Sequence, residues 1–204
     1  MCLALCLAAK HLFLQCTSFK LTSLLTDIFN RIFVSYDFPD SWNTSVICPI
    51  FKAGNEQDPS CYRPISLIPA MSKKFSSVLG NRLREWAENV LSPAQTGFRK
   101  GYSTLDNIFI LNNIISVVLS KRRGKLYCAF IDFKAAFDSV DRQLLFKKLY
   151  SIGVNGNFLK ILISMYKNVK ARVRLSNGLT DEFSCSNGLK QGCVLSPLLF
   201  FLVY

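Results

Sequence analysis

The stretch Leu126-Tyr127-Cys128-Ala129-Phe130-Ile131 is apolar without a break and is closed by Asp132. A continuous apolar run of this length fits a buried strand, and the pattern predicts one over 126–132. A carboxylate at the end of such a strand is costly to bury unless something compensates its charge. Helical periodicity surrounds the run. Leu21, Leu24, Leu25, Ile28, Phe29 and Ile32 repeat at helical spacing within 21–35, and Pro39 closes that segment. Phe75, Val78, Leu79, Leu83, Trp86 and Val90 mark one side of a helix over 70–91, ended by Ser92-Pro93. A third helix starts near Ser103 or Thr104, either of which can cap it, and passes through Ile108, Leu111, Ile114, Ile115 and Val118. It ends at the basic turn Lys121-Arg122-Arg123-Gly124. Two further helices are expected over 141–151 and 157–168, and an apolar one runs from Ser196 to Tyr204. Residues 45–51 read as a strand. Residues 170–176 and 181–186 alternate around Asn177-Gly178, as a hairpin does. The mixture predicts an α+β fold, an incomplete antiparallel sheet with packed helices.

With 204 residues the chain can build one or two compact domains. Half the residues are hydrophobic and Phe occurs 17 times, which excludes disorder for most of the length. Lys and Arg number 25 against 13 acidic residues, a formal charge of +12. A globular chain this basic usually meets a polyanion, either nucleic acid or an acidic membrane surface; the plainer reading is charge that keeps it soluble. Eight cysteines are present without a CxxC pair, and His11 is the one histidine, so zinc-site spacing is absent. Cys128, inside the apolar run, reads as a small buried hydrophobe, and the whole set suits a reducing, intracellular compartment. Met1–Leu14 imitates a signal peptide but lacks a basic start and is interrupted by Lys10 and His11. No stretch reaches the roughly 20 apolar residues of a membrane-spanning helix, so no membrane partner is expected.

Four segments carry chemistry. In Asp132-Phe133-Lys134-Ala135-Ala136-Phe137-Asp138, Asp132 suits Mg²⁺, which prefers carboxylate oxygens together with phosphates and water. Two such ions about 4 Å apart activate and stabilise the oxygens exchanged in phosphoryl transfer. The competing reading makes Asp132 a helix cap, Phe137 a core residue and Asp138 structural; Asp141 is most simply the cap of the helix after it. In Asn187-Gly188-Leu189-Lys190-Gln191-Gly192, the glycines allow close backbone approach to a ligand, or form an ordinary turn before a helix that begins at Ser196-Pro197. Lys52, beside a turn, and Arg63, in Tyr62-Arg63-Pro64-Ile65-Ser66, offer cationic donors that suit a triphosphate, or are solvated loop charges. Arg99 and Lys100, in Gln95-Thr96-Gly97-Phe98-Arg99-Lys100-Gly101, suit backbone phosphates, or form a basic turn before the third helix.

These four segments, in this order over residues 21–204, resemble the motifs of reverse transcriptases of the LINE-like (non-LTR, jockey-like) retrotransposon class. Leu21-Thr22, Ile28-Phe29-Asn30 and Phe38-Pro39-Asp40-Ser41-Trp42 are similar to what precedes the fingers in that class. The resemblance implies a right-hand polymerase: 1–20 unassigned, 21–125 fingers and 126–204 a partial palm. It implies an RNA template, a DNA primer and deoxynucleoside triphosphates as partners, and Mg²⁺ (or Mn²⁺) as cofactor. By position, Asp132 would be the catalytic metal ligand, with the carbonyl of Phe133 assisting. Phe137 would lie under the incoming sugar and block a 2′-hydroxyl. Gln191 and Gly192 would line the deoxynucleotide pocket, Lys52 and Arg63 would clamp the triphosphate, and Arg99 and Lys100 would meet nucleic acid. The Tyr/Phe-Ala-Asp-Asp run that such a polymerase also uses does not occur in these residues. The expectation is therefore little catalysis from this chain alone. The alternative is a non-catalytic, basic nucleic-acid-binding remnant.

Overall fold

The computed structural model describes residues 19–203. The apolar start at Met1–Leu14 lies outside them. In chain order the elements are α1 (Phe19–Ser35), β1 (Thr44–Phe51), β2 (Tyr62–Leu67), α2 (Ala70–Ala87), α3 (Thr104–Leu119), α4 (Arg142–Ser151), α5 (Gly156–Lys167), β3 (Lys170–Leu175), β4 (Gly178–Leu179), β5 (Phe183–Ser184) and α6 (Ser196–Phe201). The predicted helices all form. Ser103 caps α3 in a reciprocal arrangement, its hydroxyl accepting from the backbone while the Asp106 carboxylate accepts from the Ser103 N–H. Asp141 caps α4, accepting from the N–H groups of Gln143 and Leu144 at 2.7 and 3.0 Å.

The sheet runs β2-β1-β3-β4, with β5 also on β3. It is mixed rather than antiparallel: β1 pairs with β3 in parallel, Thr44 to Ile47 against Lys170 to Val173. The expected hairpin is present but divided. Leu175 faces Gly178 while Ala171 faces Phe183, so the register slips by one residue across Asp181 and Glu182, a bulge. Strands from 44–67 and 170–184 share this one sheet, which thus draws on both sides of the expected 125/126 boundary.

The core lies between α2, α4, α5 and α6. Phe75, Leu79, Leu83 and Ala87, one helical turn apart on α2, are all buried. They meet Leu145 and Leu149 of α4, Ile161 and Leu162 of α5, and Leu195, Leu198 and Leu199 at the start of α6. Val194 and Leu195 pack over Gly80 of α2, where an added Cβ would meet each at an ordinary 3.7 Å. An aromatic group of Phe29, Phe38, Trp42 and Phe75 joins α1 to this core, with Phe29 and Phe75 centroids 5.2 Å apart.

The expected strand over 126–132 is not formed. Tyr127, Phe130 and Ile131 are 87, 85 and 85 % exposed and the segment is irregular. A strand exists by pairing, and no described strand runs alongside this one. Cys128, expected to be buried, is exposed for the same reason; Cys193 is the buried cysteine among those described.

Candidate nucleotide-binding cleft

β1 and β3 separate beyond Ile47 and Val173, where their pairing ends. A cleft of about 1150 Å³ opens there, walled by the far ends of β1 and β2, the end of β3 and the turns at 133–138. Pro49, which cannot donate to a neighbouring strand, stands on β1 where β3 no longer flanks it. The cleft collects Lys52, Arg63, Phe133, Phe137 and Gln191 from three separate motifs. Arg63 is exposed on β2, opposite Ile50 of β1. Phe137 is half-buried, its ring 5.5 Å from that of Phe200, so it packs on the core and faces the cleft at once. Phe133 also lines the opening and meets Phe200 edge-on at 5.9 Å.

Backbone contacts hold the motifs together. The N–H of Ser66 on β2 donates to the carbonyl of Gln191 at 2.8 Å. The N–H groups of Gly188 and Leu189 donate to the carbonyls of Val140 and Phe137 at 2.9 and 2.7 Å. Both glycines are required. A Cβ at Gly192 would stand 2.8 Å from the Ser66 oxygen, and one at Gly188 would stand 2.8 Å from the Asp138 oxygen. Their φ angles, +112° and +79°, lie where side chains are strained. The Gln191 amide donates to the Asp138 carboxylate at 2.8 Å. Burial raises the Asp138 pKa, against that hydrogen bond and the nearby Lys52 charge, which both lower it.

Residues 50–204 match the family model for reverse transcriptase (RNA-dependent DNA polymerase). The chain belongs to the reverse transcriptase family. It is 32% identical over 183 residues to the probable RNA-directed DNA polymerase from transposon X-element of Drosophila melanogaster, covering 87% of this chain and 20% of that protein. The corresponding protein from transposon BS of the same organism is 32% identical over 178 residues, 85% of this chain and 19% of its own length. The RNA-directed DNA polymerase from mobile element jockey of Drosophila funebris is 28% identical over 176 residues, with 85% and 19% covered. The chain thus spans about a fifth of the length of these relatives. The LINE-like resemblance holds at the level of the family and its non-LTR members.

The remaining candidates of this reverse transcriptase chain lie elsewhere. Asp132 is exposed, one residue outside the cleft lining. Arg99 is held by its own neighbourhood: Glu88 at 2.7 Å, the Ser92 carbonyl at 3.1 Å and the Tyr102 ring at 4.1 Å. The hydrogen bond that the Arg99 guanidinium donates to the Glu88 carboxylate raises the Arg99 pKa. Lys100 beside it is exposed.

Two organising residues escape sequence reading. Arg142 is buried, and its guanidinium donates to the carbonyls of Gly188, Tyr166, Cys185 and Asn187 at 2.9, 3.2, 2.7 and 3.0 Å. It ties α4 and α5 to the segment leading into the Gly-Gln-Gly turn. Burial lowers its pKa. Its signal was positional: a cation in the first turn of a helix opposes the helix dipole and asks for a tertiary reason. Lys190 donates to the Asn43 carbonyl at 3.2 Å, and burial pushes its pKa down to about 8. Asn43 is buried with its side-chain oxygen unbonded. Nothing in the local pattern marks that pair.

Proposed function

We propose that this chain is the nucleotide-holding part of an RNA-directed DNA polymerase, with 21–125 serving as fingers and 126–204 as the front of the palm. The observation that carries the reading is the cleft itself: Lys52, Arg63, Phe133, Phe137 and Gln191, distant in the chain, share one opening. A deoxynucleoside triphosphate suits such a site. Its phosphates carry several negative charges, for which Arg63 offers a planar fork and Lys52 a mobile point charge. The ring of Phe137 supplies a flat apolar floor for a sugar without a 2′-hydroxyl. Gln191, fixed by Asp138 and by Ser66, presents a pre-oriented amide beside it. In the whole polymerase the substrates would be an RNA template and a DNA primer.

The family implies a divalent ion, Mg²⁺ or Mn²⁺, and Asp132 is the residue that resemblance assigns to it. Among the described residues no group of three acidic, histidine or cysteine side chains stands together to hold a metal ion. These residues do not make a two-ion centre by themselves. The reading for this chain is therefore substrate holding, with Asp132 contributing one carboxylate.

The test is equilibrium binding of a fluorescent deoxynucleoside triphosphate with and without Mg²⁺. Arg63→Ala is expected to weaken binding at least tenfold, and Asp132→Ala to remove the part that depends on Mg²⁺. Binding indifferent to Arg63→Ala, or a Mg²⁺ response that survives Asp132→Ala, would overturn these assignments. Phe137→Ala is expected to narrow the preference for deoxy- over ribonucleotide.

A further inference from the structure

We infer that the small cavity behind the Gly-Gln-Gly turn is a binding site for one water molecule, which joins Asn43 to Lys190 and thereby positions Gln191. The positioning role rests on the nucleotide reading above; the water site stands without it.

The cavity lies away from the nucleotide cleft, between α2, α5, the residue before β1 and the turn at 190–193. Its volume is about 10 Å³, at the lower bound of the roughly 10–15 Å³ that admits a single water. No organic group fits. Phe38 and Met165 form apolar wall, and Asn43, Ser72, Ser76 and Lys190 bring polar groups to the same space. Asn43 is the residue that asks for an occupant. It is 1 % exposed, lines the cavity, and its side-chain oxygen meets no donor among the described residues. A buried amide oxygen without a donor is costly, because it has given up its hydration for nothing.

The surrounding groups decide the chemistry of the occupant. Lys190 gives one of its three N–H donors to the Asn43 carbonyl at 3.2 Å, which leaves two for other acceptors. The Ser76 hydroxyl donates to the Ser72 carbonyl at 2.7 Å and keeps its own lone pairs as acceptors. A cation is repelled by the Lys190 ammonium, and an anion by the unpaired oxygen of Asn43. A neutral molecule that donates to Asn43 and accepts from Lys190 satisfies both at once, and at this volume it is water. Lys190 immediately precedes Gln191, whose carbonyl accepts from Ser66 and whose amide donates to Asp138. Asn43 immediately precedes β1, beyond whose far end Lys52 enters the cleft lining. The buried link therefore fixes one side of the cleft relative to the other, across 147 residues of chain.

The first test needs no variant. A high-resolution crystal structure of the full chain is expected to show one density peak within about 3.2 Å of both the Asn43 side-chain oxygen and Lys190 Nζ. An empty cavity, or a peak out of reach of Asn43, overturns the water site. Titration with a fluorescent deoxynucleoside triphosphate then tests the positioning role. Asn43→Leu keeps the side-chain size and deletes the acceptor, and is expected to weaken binding about fivefold, the scale of one hydrogen bond. Asn43→Asp keeps an oxygen in the same place and is expected to stay within about twofold of the parent. Lys190→Met is expected to match Asn43→Leu, and the double variant to lose no more than either alone, as two ends of one link do. Circular dichroism checks that each variant is folded; if Asn43→Leu is not, Lys190→Met and Asn43→Asp carry the comparison. Full affinity in folded Lys190→Met, equal loss in Asn43→Asp, or additive losses in the double variant overturns the positioning role. A parent chain that binds no nucleotide rejects the nucleotide reading, and the positioning role with it, while the density peak still decides the water site.

Discussion

The helices α2 and α3 are of similar length and have opposite fates. On α2 the apolar residues form one stripe, and Phe75, Leu79, Leu83 and Ala87 are buried while Lys73, Asn81 and Glu85 face water. α3 is the more apolar of the two, yet none of its residues is buried: Leu105, Ile108, Phe109, Ile110 and Val117 are all more than half exposed. Apolar content tells how strongly a helix seeks cover, and one-sidedness tells where a single layer can supply it. α3 is apolar on all sides, so one neighbouring layer cannot satisfy it. The exposed run at 126–131 has the same character. Apolar surface of this extent marks either an interaction face or a tendency to self-associate.

The largest expected effect divides these regions directly. Leu79→Ala should cost about 3–5 kcal/mol in urea denaturation, the transfer loss plus a cavity that α4 and α6 cannot close. Phe109→Ala should cost less than about 0.5 kcal/mol, since the ring is already in water. Comparable losses at the two positions would erase the distinction. Next is Arg142→Met, which leaves four carbonyls without their donor, two in buried hydrogen bonds and two in part-buried ones. A loss of about 3 kcal/mol is expected, and one below about 1 kcal/mol would mean that water replaces the guanidinium freely.

The third effect concerns pH. The folded pKa of Lys190 lies near 8, below the 10.5 of an ordinary lysine, so between these values the unfolded chain binds more protons. Stability from this group is therefore present above about 10.5 and is lost as pH falls towards 8, a change of about 2 kcal/mol across pH 8 to 10. Burial raises the pKa of Cys185 and of Tyr166, which oppose the trend near and above their ordinary values of 9 and 10. The difference between parent and Lys190→Met, measured at pH 7.5 and 9.5, isolates the lysine. A difference that does not change with pH would show that the amine is solvated. The smallest effect compares two caps. Asp141→Ala on packed α4 should lower global stability by about 1 kcal/mol. Ser103→Ala on α3 should reduce helical signal while leaving the global midpoint in place, because α3 is not part of the buried layer.

Periodicity locates α2 and α5 because their apolar residues largely face one side, and the caps at Ser103 and Asp141 are local chemistry that a sequence displays openly. The motifs mark Lys52, Arg63, Phe137 and Gln191, which the fold gathers, since phosphate-seeking and glycine-bounded residues are recognisable singly. What is not legible is relational. Whether 126–132 pairs depends on a neighbouring strand, whether β1 runs parallel to β3 depends on the intervening chain, and the bonds of Arg142 and Lys190 end on carbonyls that any residue could offer.

The parallel pairing of β1 with β3 also sets an order of events. Ser45 bonds to the Lys170 carbonyl across 125 residues of chain. At ribosomal speeds of about 5–20 residues per second, the β1–β2 hairpin leaves the exit tunnel roughly 5–22 s before β3 does. Through that interval one edge of β1 stands open, and the loop that must close is long, so sheet completion is a late and slow step. Translation rate and chaperone access then join the stability of the finished sheet in setting how much of this chain reaches its native form.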